Sequence, residues 1–487
     1  MVTHRTPLFG SGVPTTTTNS VIAGLDPAIH GVTHASELPS SRHLDASTRP
    51  TDAVDARVEH GHDERSGGRP GEQSGIWKAA SGVTRRGALL GGAGVFAVGT
   101  VRAQDLPLVK IGVLTDLSGQ YRDNSGPTSV LAARQAVEDF RPEAHGFRAE
   151  VIAADHAQKP DLGAGIARQW FDRDGVDAIV DLNNSAVALA ALTVAKEKDK
   201  VLLISGAASV ELTGKYCSAN HVHWSPDSFA GPSATGGALV TAGKKTWFLL
   251  IADYVFGHSL ENGIRGVVTA GGGTIVGSIA YPFPGVTDFS SFLVQAQASG
   301  ADVLGLCCTG GDMEACVKQA REFGLGRSGM KVAALLGFVT EVHSMGLEVA
   351  GGMLVAEPFY WDLNERTRAF TQRFLPKAGN NYPSSLHAGA YSVVTHYLKA
   401  ATAMGVGAAK ASGRAAVAQM KAMPTDDDCY GPASIRADGR FLPPFYLFQA
   451  KEPDESRMPW DVFKLVQTIP PAQAWRPLDV SCSIVKT

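Results

Sequence analysis

No stretch of the 487 residues approaches the roughly 20 consecutive apolar residues that a membrane-spanning helix needs. No long lysine or arginine run is present and the formal net charge is −3, so nothing in the charge pattern asks for nucleic acid or an anionic membrane surface. Cysteine is scarce: Cys217, Cys307, Cys308, Cys316, Cys429 and Cys482 include no C-x-x-C pair, which argues against a zinc site. Catalytic signatures are missing as well. Ala238 stands where a phosphate-binding loop would need its first glycine before Gly243-Lys244, no H-E-x-x-H occurs, and Asp426-Asp427-Asp428 lacks the spacing of a calcium loop and reads as a solvated turn. Gly257-His258-Ser259-Leu260-Glu261 falls short of a nucleophile elbow because Glu261 replaces the closing glycine, so Ser259 reads as an ordinary polar residue at a helix start. No constellation asks for chemistry; the expectation is a protein that is not an enzyme and carries neither cofactor nor metal.

What is there begins with a segment, residues 1–83, built from Ser, Thr, Gly, Pro, His, Asp and Arg without sustained apolar periodicity. It cannot bury enough surface to offset its chain entropy and is expected to be a disordered extension. Residues 84–103 follow, TRRGALLGGAGVFAVGTVRA: paired arginines, fifteen apolar residues and small residues at the positions a signal peptidase reads. This is the pattern of a secretory signal of twin-arginine type, cleaved after Ala103. Every methionine other than Met1 lies at Met313 or beyond. Val83 is therefore the expected true start, with residues 1–82 a translation artefact. The formal match Gly92-x-Gly94-x-x-Ala97 lacks a preceding strand and is discarded as a dinucleotide fingerprint.

From Leu106 onward, continuous apolar runs alternate with amphipathic helical patterns. VKIGVLTD, AEVIAADH, VDAIVDL and KVLLISG read as strands, separated by the helical GPTSVLAARQAVEDF, DLGAGIARQWFDRDG and SAVALAALTVAKEKD. The rhythm restarts near residue 245 with TWFLLIAD, TIVGSIAY, DVLGLCCT and KVAALLG. Strands of this kind spaced by helices indicate parallel sheets covered on both faces. The fold class is therefore α/β with two lobes, and ligands of such sheets bind at the carboxyl ends of the strands. Helices dominate residues 364–423, and PPFYLFQAK and WDVFKLVQTI close the chain as strands. Cys307, Cys308 and Cys316 fall in core patterns and read as buried thiols. Cys217, Cys429 and Cys482 fall in loops, and of these Cys217 with Cys482 is the expected disulfide.

The turns after two strands are suited to an anion. Asn183-Asn184-Ser185 follows VDAIVDL, Gly206-Ala207-Ala208-Ser209 follows VLLIS, and side by side their N–H groups would form a concavity for a carboxylate. Ordinary helix caps are the competing reading for each.

VKIGVLTDLSGQY, VDLNNSAVALA, VLLISGAASVELTG, IADYVFGHSLENG and the run from TDFSSFLVQAQ to QAREFGL together resemble type I periplasmic solute-binding proteins, the leucine-isoleucine-valine-binding family of ABC importers. The resemblance covers roughly residues 106–470. It implies two Rossmann-like lobes joined by a three-crossing hinge, with residues 104–226 and 358–440 in the first lobe, 227–357 and 441–470 in the second, and 471–487 as a tail. It implies capture of a small solute in the cleft between lobes, delivery to permease subunits in the membrane, and a monomer in the periplasm. The same fold also serves ligand-sensing receptors, which stands as the alternative. Asn184, Ser185, Ala207 and Ser209 fall where the family holds a ligand carboxylate. Tyr121 and Phe256 match aromatic positions over the ligand, and Tyr254 faces either the ligand or the core. Thr309 precedes the turn Gly310-Gly311, after which Asp312 replaces a customary aromatic. Asp312 either supplies a missing acid or caps a helix. Phe338 and Val339 occupy the place of the acid that faces a ligand ammonium, the nearest acid being Glu341. Those departures favour an aromatic or aliphatic carboxylate over a branched-chain amino acid. Phe359, Tyr360 and Trp361 are read mainly as hinge packing.

Overall fold

The computed structural model describes residues 106–485. The expected extension, signal segment and cleavage position after Ala103 lie outside those residues.

Nine strands form two parallel sheets. In the first, β1 (Leu108–Thr115), β2 (Arg148–Asp155), β3 (Ala178–Asp181), β4 (Val201–Ile204) and β5 (His221–His223) lie in the order β2-β1-β3-β4-β5. Ile111 pairs with Val151 on one side and Ala178 on the other. β1 is apolar but for Lys110 and Thr115, and it is covered on both faces. Val109, Ile111 and Val113 pack with Trp224, Phe370 and Tyr397, whereas Leu114 joins Ile179, Leu202 and Trp170. A Cβ at Gly112 would lie 2.3 Å from the Trp170 ring, so only glycine lets that indole lie on the sheet.

The second sheet holds β6 (Thr246–Ala252), β7 (Thr274–Tyr281), β8 (Val303–Cys307) and β9 (Lys331–Ala334) in the order β7-β6-β8-β9. A third sheet is antiparallel and joins β10 (Leu354–Glu357), β11 (Phe445–Ala450) and β12 (Phe463–Ile469). Its Val355, Phe448 and Phe463 share one core with Leu250, Leu304 and Leu306 of the second sheet. The short strands β5 and β10 escape periodicity analysis, since three or four residues show no period.

The chain changes cores three times. Trp224, Phe359 and Phe441 belong to the first core, while Ala230, Ala356 and Phe445 belong to a cluster beyond it. Two of these crossings are stitched by Arg440, which is fully buried with Asp227 (Nη1–Oδ2 3.5 Å) and donates to the carbonyls of Ser225 and Phe441. At the middle crossing Phe359 packs in the first core, Tyr360 in the second, and Trp361 donates its indole N–H to Trp460 O at 2.8 Å.

Cys217 and Cys482 form a disulfide with Cα atoms 5.4 Å apart, which ties the end of the chain to the loop after β4. Arg476 strengthens that attachment by donating to Val210 O at 3.0 Å. Cys307, Cys308, Cys316 and Cys429 are free and buried. The acidic triplet is not simply solvated: Asp427 turns inward to accept from the backbone N–H groups of Cys429 and Tyr430, while Asp426 and Asp428 pair with Arg366.

Candidate functional site

The carboxyl ends of β1, β3 and β4 meet those of β6, β8 and β9 around a small cavity. Tyr121, Asn124, Asn183, Ser185, Gly206 and Ala208 line it from one sheet's turns. Tyr254, Phe256, Thr309, Leu336 and Phe338 line it from the other, with Leu386 from the long helix Ser385–Met404. One wall is mostly polar and the other mostly apolar. No charged side chain lines it.

The polar wall is built on a strained turn. Asp181 and Leu182, at the end of β3, adopt φ of 83° and 58°, left-handed conformations that cost of order 1–3 kcal/mol each and persist only where surroundings impose them. They swing Asn183 under the loop after β1. Its Oδ1 accepts from Asp116 N (2.9 Å) and meets His156 Nε2 (2.8 Å), and its Nδ2 donates to Tyr121 O (3.2 Å). Burial lowers the His156 pKa, so the ring is held neutral beside this amide. Asp116 organises the same loop by accepting from the N–H groups of Ser118, Gly119 and Tyr121. The Asp181 carboxyl accepts a hydrogen bond from Ser125 Oγ at 2.5 Å, and burial pushes its pKa up to about 6. Gly206 faces it so closely that a Cβ there would sit 2.6 Å from Asp181 Oδ1.

Asn184 caps the helix Ser185–Lys198, accepting from Ala186 N and Val187 N. Its side chain is committed to that cap and to Gln158, and it does not line the cavity. Ser185 does, and its Oγ accepts from Ala208 N and Ser209 N, both at 3.3 Å. The two turns thus touch through one hydroxyl whose hydrogen stays available to an acceptor. Ala207 and Ser209 sit behind the lining: Ala207 O receives Ser225 Oγ–H and contacts His223 Nε2, while Ser209 is fully buried.

Aromatic rings close the seam. Tyr121 and Tyr254 share a hydroxyl–hydroxyl hydrogen bond of 2.5 Å, and both stack on Phe283, at centroid distances of 5.6 and 4.4 Å. Burial raises both phenol pKa values, so both hydroxyls stay protonated. Phe256 and Phe338 are buried in the apolar wall. Asp312 lies outside the cavity, where it accepts from Tyr281 Oη at 2.8 Å, and burial pushes it up to about 6. Phe359, Tyr360 and Trp361 are absent from the lining and pack where the chain passes from one core to the other.

Residue-level reasoning from the sequence missed Asn124, Phe283 and the role of Glu341. Glu341 is fully buried directly behind the lining. It accepts from Thr309 Oγ1 (2.8 Å), Gly310 N, Phe338 N (2.8 Å) and Asn124 Nδ2 (3.4 Å), the last from across the seam. Burial pushes its carboxyl up to about 8 against those donors. The three-residue offset from Phe338 is the signal available in sequence, because an acid at that offset reaches back to the start of its own helix. Ser259 is no nucleophile elbow: it lies inside the helix Val255–Ala270, donating to Glu211 at 2.7 Å.

Comparison with known proteins gives a consistent result. A sequence model of the family described as periplasmic binding protein matches residues 108–456. The crystal structure of a periplasmic binding protein from Burkholderia mallei is 42% identical, covers 78% of this chain and 99% of its own, and superposes with a TM-score of 0.74. That of a branched chain amino acid ABC transporter periplasmic ligand-binding protein from Burkholderia xenovorans is 39% identical, over 77% of this chain and 100% of its own, with a TM-score of 0.66. Leu/Ile/Val-binding protein homolog 4 of Brucella abortus is 24% identical over 257 residues; the match spans 50% of this chain and 60% of that relative.

Proposed function

The chain belongs to the periplasmic binding protein family, and from that premise we propose that it is the substrate-binding protein of an ABC importer. It captures a small carboxylate-bearing solute, an aromatic or aliphatic acid or a branched-chain amino acid, and hands it to permease subunits. Export by the twin-arginine-like signal and cleavage after Ala103 deliver it to the periplasm as a monomer. It binds and releases without chemistry.

The observation that carries this reading is the cavity lined from both sheets, polar on one side and aromatic or aliphatic on the other. Its small size calls for the two walls to part before a solute enters, which fits a site that closes around its ligand. A carboxylate at the polar wall meets the Ser185 hydroxyl and the positive end of the helix Ser185–Lys198. The hydrocarbon part of the solute then faces Phe256, Leu336, Phe338 and Leu386. A ligand that touches both walls binds the closed arrangement better than an open one, and that difference drives closure about the hinge. The name of the Burkholderia xenovorans relative places branched-chain amino acids in the test panel.

Thermal melts with leucine, isoleucine, valine, benzoate, 4-hydroxybenzoate and short dicarboxylates test the proposal. A true ligand at 100 times its Kd adds about 2.7 kcal/mol. Stabilisation by neutral sugars, with none by any carboxylate, would sink it.

A further inference from the structure

Among the described polar side chains that line the cavity, one buried oxygen has no hydrogen-bond partner at all. Asn183 uses both ends of its amide on Asp116, His156 and Tyr121. Thr309 gives its hydroxyl proton to Glu341, and the two tyrosine hydroxyls bond each other. Ser185 accepts twice and keeps a donor. Asn124 is 3% exposed and donates from Nδ2 to Glu341, yet its Oδ1 has no hydrogen-bond partner. Among the described residues that line the cavity, it is the side chain with a buried polar atom left unpaired.

We propose that Asn124 is a specificity-determining residue whose Oδ1 accepts a hydrogen bond from an O–H or N–H group of the ligand, so that the solute is a hydroxy or amino acid rather than a plain carboxylic acid. The inference rests on the small-carboxylate reading above and narrows it.

Glu341 makes Asn124 suited to the task. Donation from Nδ2 to the Glu341 carboxyl at 3.4 Å turns the carbonyl end of the amide away from Glu341. The cavity then offers a donor at Ser185 for the carboxylate and an acceptor at Asn124 for a donor group. A plain acid satisfies the first and leaves the second buried and unpaired. Sites built around such an acceptor discriminate strongly against ligands that lack the matching donor. The missing acid at Phe338 and Val339 is thereby answered in part: a neutral acceptor stands at the seam beside the Glu341 carboxyl, and it serves a hydroxyl as well as an ammonium.

Isothermal titration at pH 7 with two matched series tests the assignment: 4-methylpentanoate, 2-hydroxy-4-methylpentanoate and leucine; phenylacetate, mandelate and phenylglycine. In a series that binds, the hydroxy or amino member should bind about 10- to 100-fold more tightly than the plain acid. Which of the two gains identifies the donor as hydroxyl or ammonium. Asn124→Leu, checked for folding by its melt, should erase the gap between the plain acid and its hydroxy or amino partner. Equal affinities across a series in the wild-type protein would overturn the role of Asn124 while leaving the small-carboxylate reading intact. The same holds for a gap that survives in Asn124→Leu. Binding by no member of either series would overturn the role of Asn124, and the melt panel above then decides the small-carboxylate reading. If Asn124→Leu does not fold, the wild-type comparison decides alone.

Discussion

Raising the pH from 6.5 to 8 should loosen this fold through two buried glutamates. Glu357, the last residue of β10, accepts from Val339 N (2.9 Å) and Ser385 N (3.2 Å). One carboxyl thus caps the helices Val339–Met345 and Ser385–Met404, which approach it from the two walls of the cavity. Glu341 lies nearby behind the lining. Burial pushes both carboxyls up to about 8, against about 4.3 for glutamate in an unfolded chain. A carboxyl raised in this way contributes stability that is fully present below about 4.3 and is lost as pH rises through about 8. Each group weakens the fold by about 1.4 kcal/mol per pH unit while the proton difference lasts. Between pH 6.5 and 8 this comes to about 1.5 kcal/mol for one group and about 3 kcal/mol for the pair.

Buried histidines act in the opposite sense. Burial pushes His221 and His387 down to about 4 and also lowers His156, His223 and His396. Their contribution is present above about 6.5 and is lost as pH falls. Asp181 and Asp312, at about 6, have released most of their protons by pH 6.5. A stability maximum near pH 6.5 follows; above it His258, whose pKa is raised by its hydrogen bonds to Asp253 and Glu261, titrates alongside the glutamates, so the difference between wild type and the double variant isolates them. Urea unfolding at constant ionic strength measures the slope in wild type, Glu341→Gln, Glu357→Gln and the double variant. Each glutamine places an amide N–H against a backbone N–H, an offset of about 1–3 kcal/mol at every pH, so the slope is the readout. Through the glutamates, wild type should lose about 3 kcal/mol over the window, each single variant about half as much and the double variant almost none. A wild-type stability that is flat or rises from pH 6.5 to 8, or a slope unchanged in the double variant, would refute the reasoning.

Arg440→Ala should cost about 3–5 kcal/mol, because it leaves the Asp227 carboxylate buried without its partner; a urea midpoint close to wild type would contradict the stitching role. Ser185→Ala removes the acceptor of two backbone N–H groups and a donor to the cavity. It should lower affinity for the bound acid at least about tenfold while far-UV circular dichroism stays unchanged, as titration calorimetry would show. Reducing the Cys217–Cys482 bond should lower unfolding free energy by about 2–5 kcal/mol and shift ligand affinity less than twofold, since neither cysteine lines the cavity.

The parts legible in sequence are those whose structure is decided locally. GPTSVLAARQAVEDF folds as the helix Gly126–Phe140 because Pro127 starts it and its small apolar residues recur on one face. The apolar runs of β1, β3, β4, β6 and β8 are strands buried on both faces, as unbroken apolar sequence requires. Legibility fails at the seam. Phe283 lies in a loop with no period of its own and gains a role only because Tyr121 and Tyr254 stack on it from distant points in the chain. Asn124 reads as one more polar loop residue until Glu341, more than two hundred positions later, takes its Nδ2. Asn183 shows the same division within a single turn. Its neighbour Asn184 is a helix cap, which spacing alone identifies, while Asn183 holds the loop after β1 against β3 through three partners that are distant in sequence. A reading that treats the two asparagines as one anion-binding motif therefore merges two different structural roles. Only Asn183 reaches the cavity, and it does so because Asp181 and Leu182 take up a backbone conformation that no local preference would select.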